Sequence, residues 1–181
     1  GPERILSYRT DITVHVDGVL TVRETIRVHA TGHKIKRGIY RDFVIRYKEI
    51  LGLSSLRRPE IVSVLRDGRP EPHHTTKEGL GLRLYVGKPS VLLPTGEYVY
   101  TLTYRQDRML GHFDDHDELY FNAIGTEWDF TIDEAIVTVT LPDGIPVDGI
   151  KTEGFLGKRG SKAFCLGVVD DQGRIVFTAN R

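Results

Sequence analysis

The sequence predicts an all-β protein, built as an antiparallel β-sandwich of about nine or ten strands. Three observations predict it. Apolar and polar residues alternate at period two, first and longest in "DITVHVDGVLTVRETIRVHA". Turn-forming dipeptides and tripeptides interrupt the alternation every ~8 to 12 residues. No stretch carries a convincing amphipathic helical period. Strands with one apolar face each are hidden most simply when two sheets pack face to face.

Each element is justified in turn. Ile12, Val14 and Val16 form one face of the first strand, and Leu20, Val22, Ile26 and Val28 one face of the second. Asp17-Gly18 between them is the hairpin dipeptide favoured where both central residues take positive φ. Glu24 interrupts the apolar face and reads as a bulge, or as the strand emerging into solvent. "HKIKRGIYRDFVIRYKEILG" has no clear period and reads as an irregular connection with some extended structure. Strands follow at Ile61–Leu65, ending in Asp67-Gly68, and around Leu82–Val86. A long strand carries Tyr98, Tyr100, Leu102 and Tyr104 on one face. "ELYFNAIG" is a short strand, and Ile136 to Leu141 alternates up to Pro142-Asp143-Gly144. "VDGIKTEGFLG", "KAFCLGVVDDQG" and "RIVFTA" complete the set, with Asp171-Gln172-Gly173 turning between the last two. The segment "LLPTGEYVYTLTY" resembles the tyrosine corner of immunoglobulin-like sandwiches, with Tyr98 as the residue that bonds upstream backbone. The sandwich is therefore expected to be immunoglobulin-like. With no repeat and no tail large enough for its own core, residues 3–181 read as one domain, and Gly1-Pro2 reads as the scar of a removed tag.

Bulk composition narrows the function. The 181 residues carry 25 Lys plus Arg against 25 Asp plus Glu, so the basic excess of a nucleic-acid binder is missing. With 39% hydrophobic and 28% charged residues the chain is of ordinary globular composition. Its apolar runs are far too short to span a bilayer. The single cysteine, Cys165, has no internal disulfide partner; it reads as a small buried hydrophobe, or as a reactive thiol if a His faces it.

Three ordered segments carry a family resemblance: "DITVHVDGVLTVRETIRV", "RGIYRDF", and "LLPTGEYVYTLTYRQDRMLGHFDDHDELYFNAIGTEWDFTID". Over about Arg4 to Gly144 the chain resembles the N-terminal domain of the YciQ-like predicted bacterial membrane proteins, a family of unknown function. The resemblance implies an export signal before this domain and transmembrane helices after it. It implies a membrane-anchored protein whose domain faces outside the cytoplasm, and a last strand beyond Arg181. It brings no catalytic residue, cofactor or substrate.

The densest chemistry is "HFDDHDEL". On a straight strand His112, Asp114, His116 and Glu118 share one face, a set that suits Zn²⁺ or Mn²⁺, with His73 or His74 as an extra ligand. Asp114-Asp115-His116-Asp117 has low strand propensity, however, and reads better as a turn that scatters that face. The competing reading sets this acidic turn against the basic block 34–48, with Arg37 or Arg41 pairing Asp114, Asp115 or Asp117. A third makes the joined loops a ligand surface of Arg37, Tyr40, Arg41, Phe43, Asp114, Asp115 and His116. The "WDF" at Trp128–Phe130 stacks on a sugar or, more commonly, fills a sandwich core. The chain contains no G-x-S-x-G elbow, phosphate-cradling glycine loop or H-E-x-x-H motif, and no cofactor is expected. The expected function is a binding module for a protein or cell-envelope partner. The alternatives are a metal-dependent hydrolase of cell-envelope material and a structural spacer.

Overall fold

The computed structural model describes residues 1–48, 54–79, 81–107, 110–112, 114–119, 121, 123–124, 130–152, 154–155, 164–165 and 167–180, the side chains of 46–48, 54–56, 112, 147, 154–155 and 164–165 excepted. Among the described residues there is no α-helix, only a 3₁₀ turn at Val147–Gly149. The β-segments in chain order are β1 (Arg4–Val14), β2 (Leu20–Ala30), β3 (Gly38–Val44), β4 (Arg46–Lys48), β5 (Ser54–Leu56), β6 (Glu60–Arg66), β7 (Arg69–Pro70), β8 (His73–Glu78) and β9 (Gly81–Gly87). They continue as β10 (Gly96–Gln106), β11 (Leu110–His112), β12 (Asp117–Leu119), β13 (Glu134–Thr140), β14 (Gly154–Phe155), β15 (Phe164–Cys165), β16 (Val168–Val169) and β17 (Ile175–Asn180). Several of these are two or three residues long, so the strands are more finely divided than the sequence suggests.

One large sheet runs β16-β17-β13-β1-β2-β10-β6-β7, and a smaller one β3-β9-β8. The large sheet is not purely antiparallel, which corrects the expectation: β1 and β13 run parallel, with Tyr8 opposite Ala135 and Ile12 opposite Val139. Alternation in sequence fixes which face a strand buries but not the direction of its neighbour, so this pairing was not legible. The small sheet lays Ile39, Phe43, Leu82, Leu84 and Val86 into the same core as Ile5, Ile12, Val22, Ile26, Val28 and Leu102 of the large one.

Other departures have local causes. Val16 is 92% exposed because the chain has already turned at His15, whose N–H bonds Val19 O and whose carbonyl accepts from Gly18 N–H. Positive φ falls on Gly18 alone there, whereas at Asp67-Gly68 both residues have it, at 51° and 79°, as a two-residue hairpin requires. Glu24 marks no bulge and no exit to solvent. It pairs in register with Thr10 and Leu102 and is fully buried, and the irregularity in β1/β2 lies at Ile5/Ser7 instead. The stretch taken as irregular contains a regular seven-residue strand, β3. Its inward set is Ile39, Arg41 and Phe43, and the arginine at its centre hides the period. Tyr98 Oη donates to Pro94 O at 2.6 Å, the upstream backbone bond expected of it.

Candidate binding surface

β3 separates the sequence-selected residues by parity. Arg41 and Phe43 point into the core, Tyr40 and Asp42 away from it. Arg41 is 2% exposed and forms a bidentate pair with Glu24 of the opposing sheet, Nε to Oε1 at 2.8 Å and Nη2 to Oε2 at 3.0 Å. Tyr8 Oη donates to Glu24 Oε1 and Tyr104 Oη to Oε2, which fills all four acceptor directions of the carboxylate. Burial pushes both phenols up, and the adjacent Glu24 adds to this, so they stay protonated and keep donating. Burial alone would lower Arg41, but the Glu24 charge outweighs it and holds the guanidinium charged. Phe43 packs edge-on to Tyr104, with centroids 5.0 Å apart, and under the Arg41 guanidinium at 4.4 Å. Arg41 and Phe43 are therefore a fastening between the two sheets. Arg41 is 2% and Phe43 7% exposed, so the structure places both in the core, away from the solvent-facing ligand surface expected of them. Glu24, Tyr8 and Tyr104 were missed as their partners. The signal available was one carboxylate and one arginine, each at an inward parity.

The outer face of the small sheet carries a different set. Its register aligns Tyr40, Tyr85 and His74 in one row and Asp42, Arg83 and Thr76 in the next. Arg83 donates to both Asp42 oxygens, at 2.7 and 3.0 Å, and lies 4.1 Å over the Tyr40 ring. The bonds to Asp42, and then Tyr85, raise the Arg83 pKa above its ordinary value. His74 stacks on Tyr85 with centroids 5.0 Å apart and planes 15° from parallel. Tyr40 and Tyr85 are half-buried and His74 is exposed, so two phenols, an imidazole and a guanidinium edge reach solvent on a rigid sheet. Of this platform the sequence reading selected Tyr40 as a binding residue. The outward Arg83 and Tyr85 were legible from "GLRLYVG", where Leu82, Leu84 and Val86 take the inner parity.

The acidic segment lies elsewhere. β11 and β12 form a hairpin, with His112 opposite Asp117. Leu110, at its base, lies against Gly18 in the β1–β2 turn. Asp114, Asp115, His116 and Glu118 are all exposed. His116 Nδ1 lies 2.6 Å from Asp115 Oδ1 and Nε2 lies 3.0 Å from Glu118 Oε1. The bonds to Glu118 and Asp115 raise the His116 pKa, and the bond to His116 lowers that of Asp115. Both ring nitrogens face carboxylates, an arrangement that favours the protonated imidazole. Among the described residues no three His, Cys, Asp or Glu side chains converge on a point suited to a metal, and the His112 side chain lies outside them. His74 is held by Tyr85, and His73 Nδ1 lies 3.0 Å from Glu71 O.

The two arginines expected to meet this turn, Arg37 and Arg41, make other bonds. Arg41 pairs with Glu24, and Arg37 Nε donates to Pro89 O at 2.7 Å. Trp128 lies outside the described residues, as does the side chain of Cys165, whose backbone pairs with Gly154. Beside the β1–β2 turn an open cleft of about 580 Å³ is lined by His15 and by the charged Arg58, Glu60, Arg105 and Asp107.

Residues 4–181 match the model of the family described as "Predicted membrane protein (DUF2207) N-terminal domain". The chain belongs to that family. It is 34% identical over 130 residues to the uncharacterized protein YciQ of Escherichia coli strain K12, a match covering 72% of this chain and 21% of YciQ. The chain thus spans about a fifth of the length of that relative. Among solved structures it resembles native yeast LTA4 hydrolase, with a TM-score of 0.57 at 12% identity, over 97% of this chain and 26% of the hydrolase. A second structure, native leukotriene A4 hydrolase from Saccharomyces cerevisiae, gives 0.57 at 11% identity over 98% and 27%. At such identity the likeness is one of fold alone.

Proposed function

We propose that this domain is an extracytoplasmic binding module of a membrane-anchored protein, and that it engages a protein or cell-envelope partner through the outer face of the β3-β9-β8 sheet. One observation carries the reading: Tyr40, Tyr85, His74 and Arg83 form a pre-ordered aromatic and cationic platform whose members already hold one another. Tyrosine and arginine supply large amphipathic contact area, and those held in place before contact lose little side-chain entropy on binding. Membership in a family of predicted membrane proteins supports the anchored setting. The sheet behind the platform is fastened to the large sheet by Arg41 and Glu24, which keeps the surface rigid.

The reading is tested in the membrane-embedded full-length protein by placing a photo-crosslinking phenylalanine at Tyr40, His74 or, as a control on the large sheet, Val168. The expected result is a discrete adduct from the first two positions, weakened at least about tenfold by Arg83→Ala. Equal labelling at all three positions, or an adduct indifferent to Arg83→Ala, removes the platform as the binding surface.

A further inference from the structure

The strands of the large sheet bring several chain segments to one end. Arg4 begins β1 opposite His29, Gly96 begins β10 opposite Ala30, and Glu134 begins β13 opposite Asn180, the last residue of β17. Two loops cover this end, 31–37 and 88–95. They are tied together by Leu93 N–H to Lys36 O at 2.8 Å and Arg37 Nε to Pro89 O at 2.7 Å. Gly87 allows the close approach: its φ is 129°, and a Cβ there would collide with the Arg37 carbonyl oxygen. Leu93 is buried and Tyr98 bonds Pro94 O, so the second loop is anchored on the core while its tip, Val91 and Leu92, is 44% and 63% exposed.

The same two loops carry Lys34, Lys36, Arg37 and Lys88, all exposed. Lys34, Lys36 and Lys88 meet no carboxylate among the described residues; Lys34 lies 6.0 Å from the Phe130 ring. Most acids at this end are already engaged. Glu3 accepts from the N–H groups of Thr31, Lys34 and Ile35 at 2.7–3.1 Å, Glu97 pairs with Arg27, and Asp133 pairs with Arg4. Burial raises Glu3, but these N–H groups more than offset it and leave it below its ordinary range, an anion held inside the loop. Glu134 is exposed on β13. This end thus combines exposed cations with two protruding aliphatic side chains, the combination that suits an anionic bilayer: headgroups meet the cations and acyl chains the apolar tip.

We propose that this end, Lys34, Lys36, Arg37 and Lys88 with Val91 and Leu92, docks on an anionic lipid bilayer, so that the domain stands on the membrane with the β1–β2 turn pointing away from it. The proposal uses residues separate from the Tyr40–Arg83 platform, so either can fail alone.

The experiment is co-sedimentation of the 181-residue chain with sucrose-loaded vesicles of pure phosphatidylcholine, or of phosphatidylcholine with one quarter phosphatidylglycerol. The expected result is binding to the anionic vesicles only, abolished near 1 M salt, where the Debye length shrinks to about 3 Å. Lys36→Glu/Lys88→Glu should weaken partitioning at least about 25-fold, taking about fivefold for each basic residue at the surface. Leu92→Ser should weaken it about tenfold. All three positions are exposed, and an unchanged far-UV circular dichroism spectrum verifies folding. No binding, equal binding to both vesicle types, or variants that bind like the parent each overturn the proposal.

Discussion

Arg41 grips Glu24 from the inner side of β3, and one residue later Arg83 grips Asp42 on the outer side. The two bidentate pairs are nearly superimposable in local geometry, at 2.8 and 3.0 Å against 2.7 and 3.0 Å. Their surroundings are opposite. Arg41 and Glu24 side chains are 3% and 0% exposed, Arg83 and Asp42 27% and 20%. A carboxylate in the core needs every acceptor direction filled, and Tyr8 and Tyr104 fill the remaining two. At the surface water does that work, and the guanidinium is free to lie on Tyr40. The same ion pair thus fastens two sheets in one setting and orders an outer aromatic face in the other. Burial, not the pair itself, decides which.

The comparison is broken most forcefully from the inside. Arg41→Met leaves Glu24 an uncompensated buried charge and should cost about 3–5 kcal/mol. Urea denaturation of the variant and the parent measures it. Replacing the whole network with apolar groups, Arg41→Met, Glu24→Met, Tyr8→Phe and Tyr104→Phe together, should recover most of that loss, because no polar group is then stranded. If the single variant falls by less than about 1 kcal/mol, the pair does not fasten the sheets.

How much of this was legible depends on parity. The long strand segments, Ile12 to Val14, Leu20 to Val28 and Tyr98 to Tyr104, read true because alternation is uninterrupted or broken once. β3 did not, since an arginine at an inward position looks like a polar face. β8, "HHTTKE", was invisible as a strand: it packs no apolar side chain, so no period exists to detect. The platform failed to appear for a related reason. Its rows join three strands across a register that alternation within a single strand cannot supply. The acidic cluster is the reverse case, since residue types name candidate ligands but not the conformation of the exposed hairpin that carries them.

On the outer face the expected effect is smaller. Asp42→Asn removes the carboxylate from a half-exposed pair and should cost at most about 1 kcal/mol in the same denaturation experiment. Raising the salt to about 1 M should erase that difference while leaving the Arg41→Met loss in place, because screening reaches the surface and not the core. Equal salt sensitivity in the two variants would mean that water reaches both pairs, and the contrast between the faces would collapse.

The weakest pairing lies on the β11–β12 hairpin, and its effect is read best by titration. His116 has its pKa raised by Glu118 and Asp115, so its support of the hairpin is complete below its ordinary pKa, near 6.5, and is lost as pH rises through the higher folded value. Asp115, lowered by His116, works in the opposite direction: its share is present above its ordinary value, near 3.8, and is lost as pH falls through the lower folded value. The hairpin is therefore held best between those two values. A proton NMR titration of the His116 ring should give a midpoint above that of an unstructured peptide, shifted back toward it by Glu118→Gln. Global stability should not change, since every group involved is exposed. A His116 midpoint at or below the peptide value would show that the imidazole is not held between the two carboxylates.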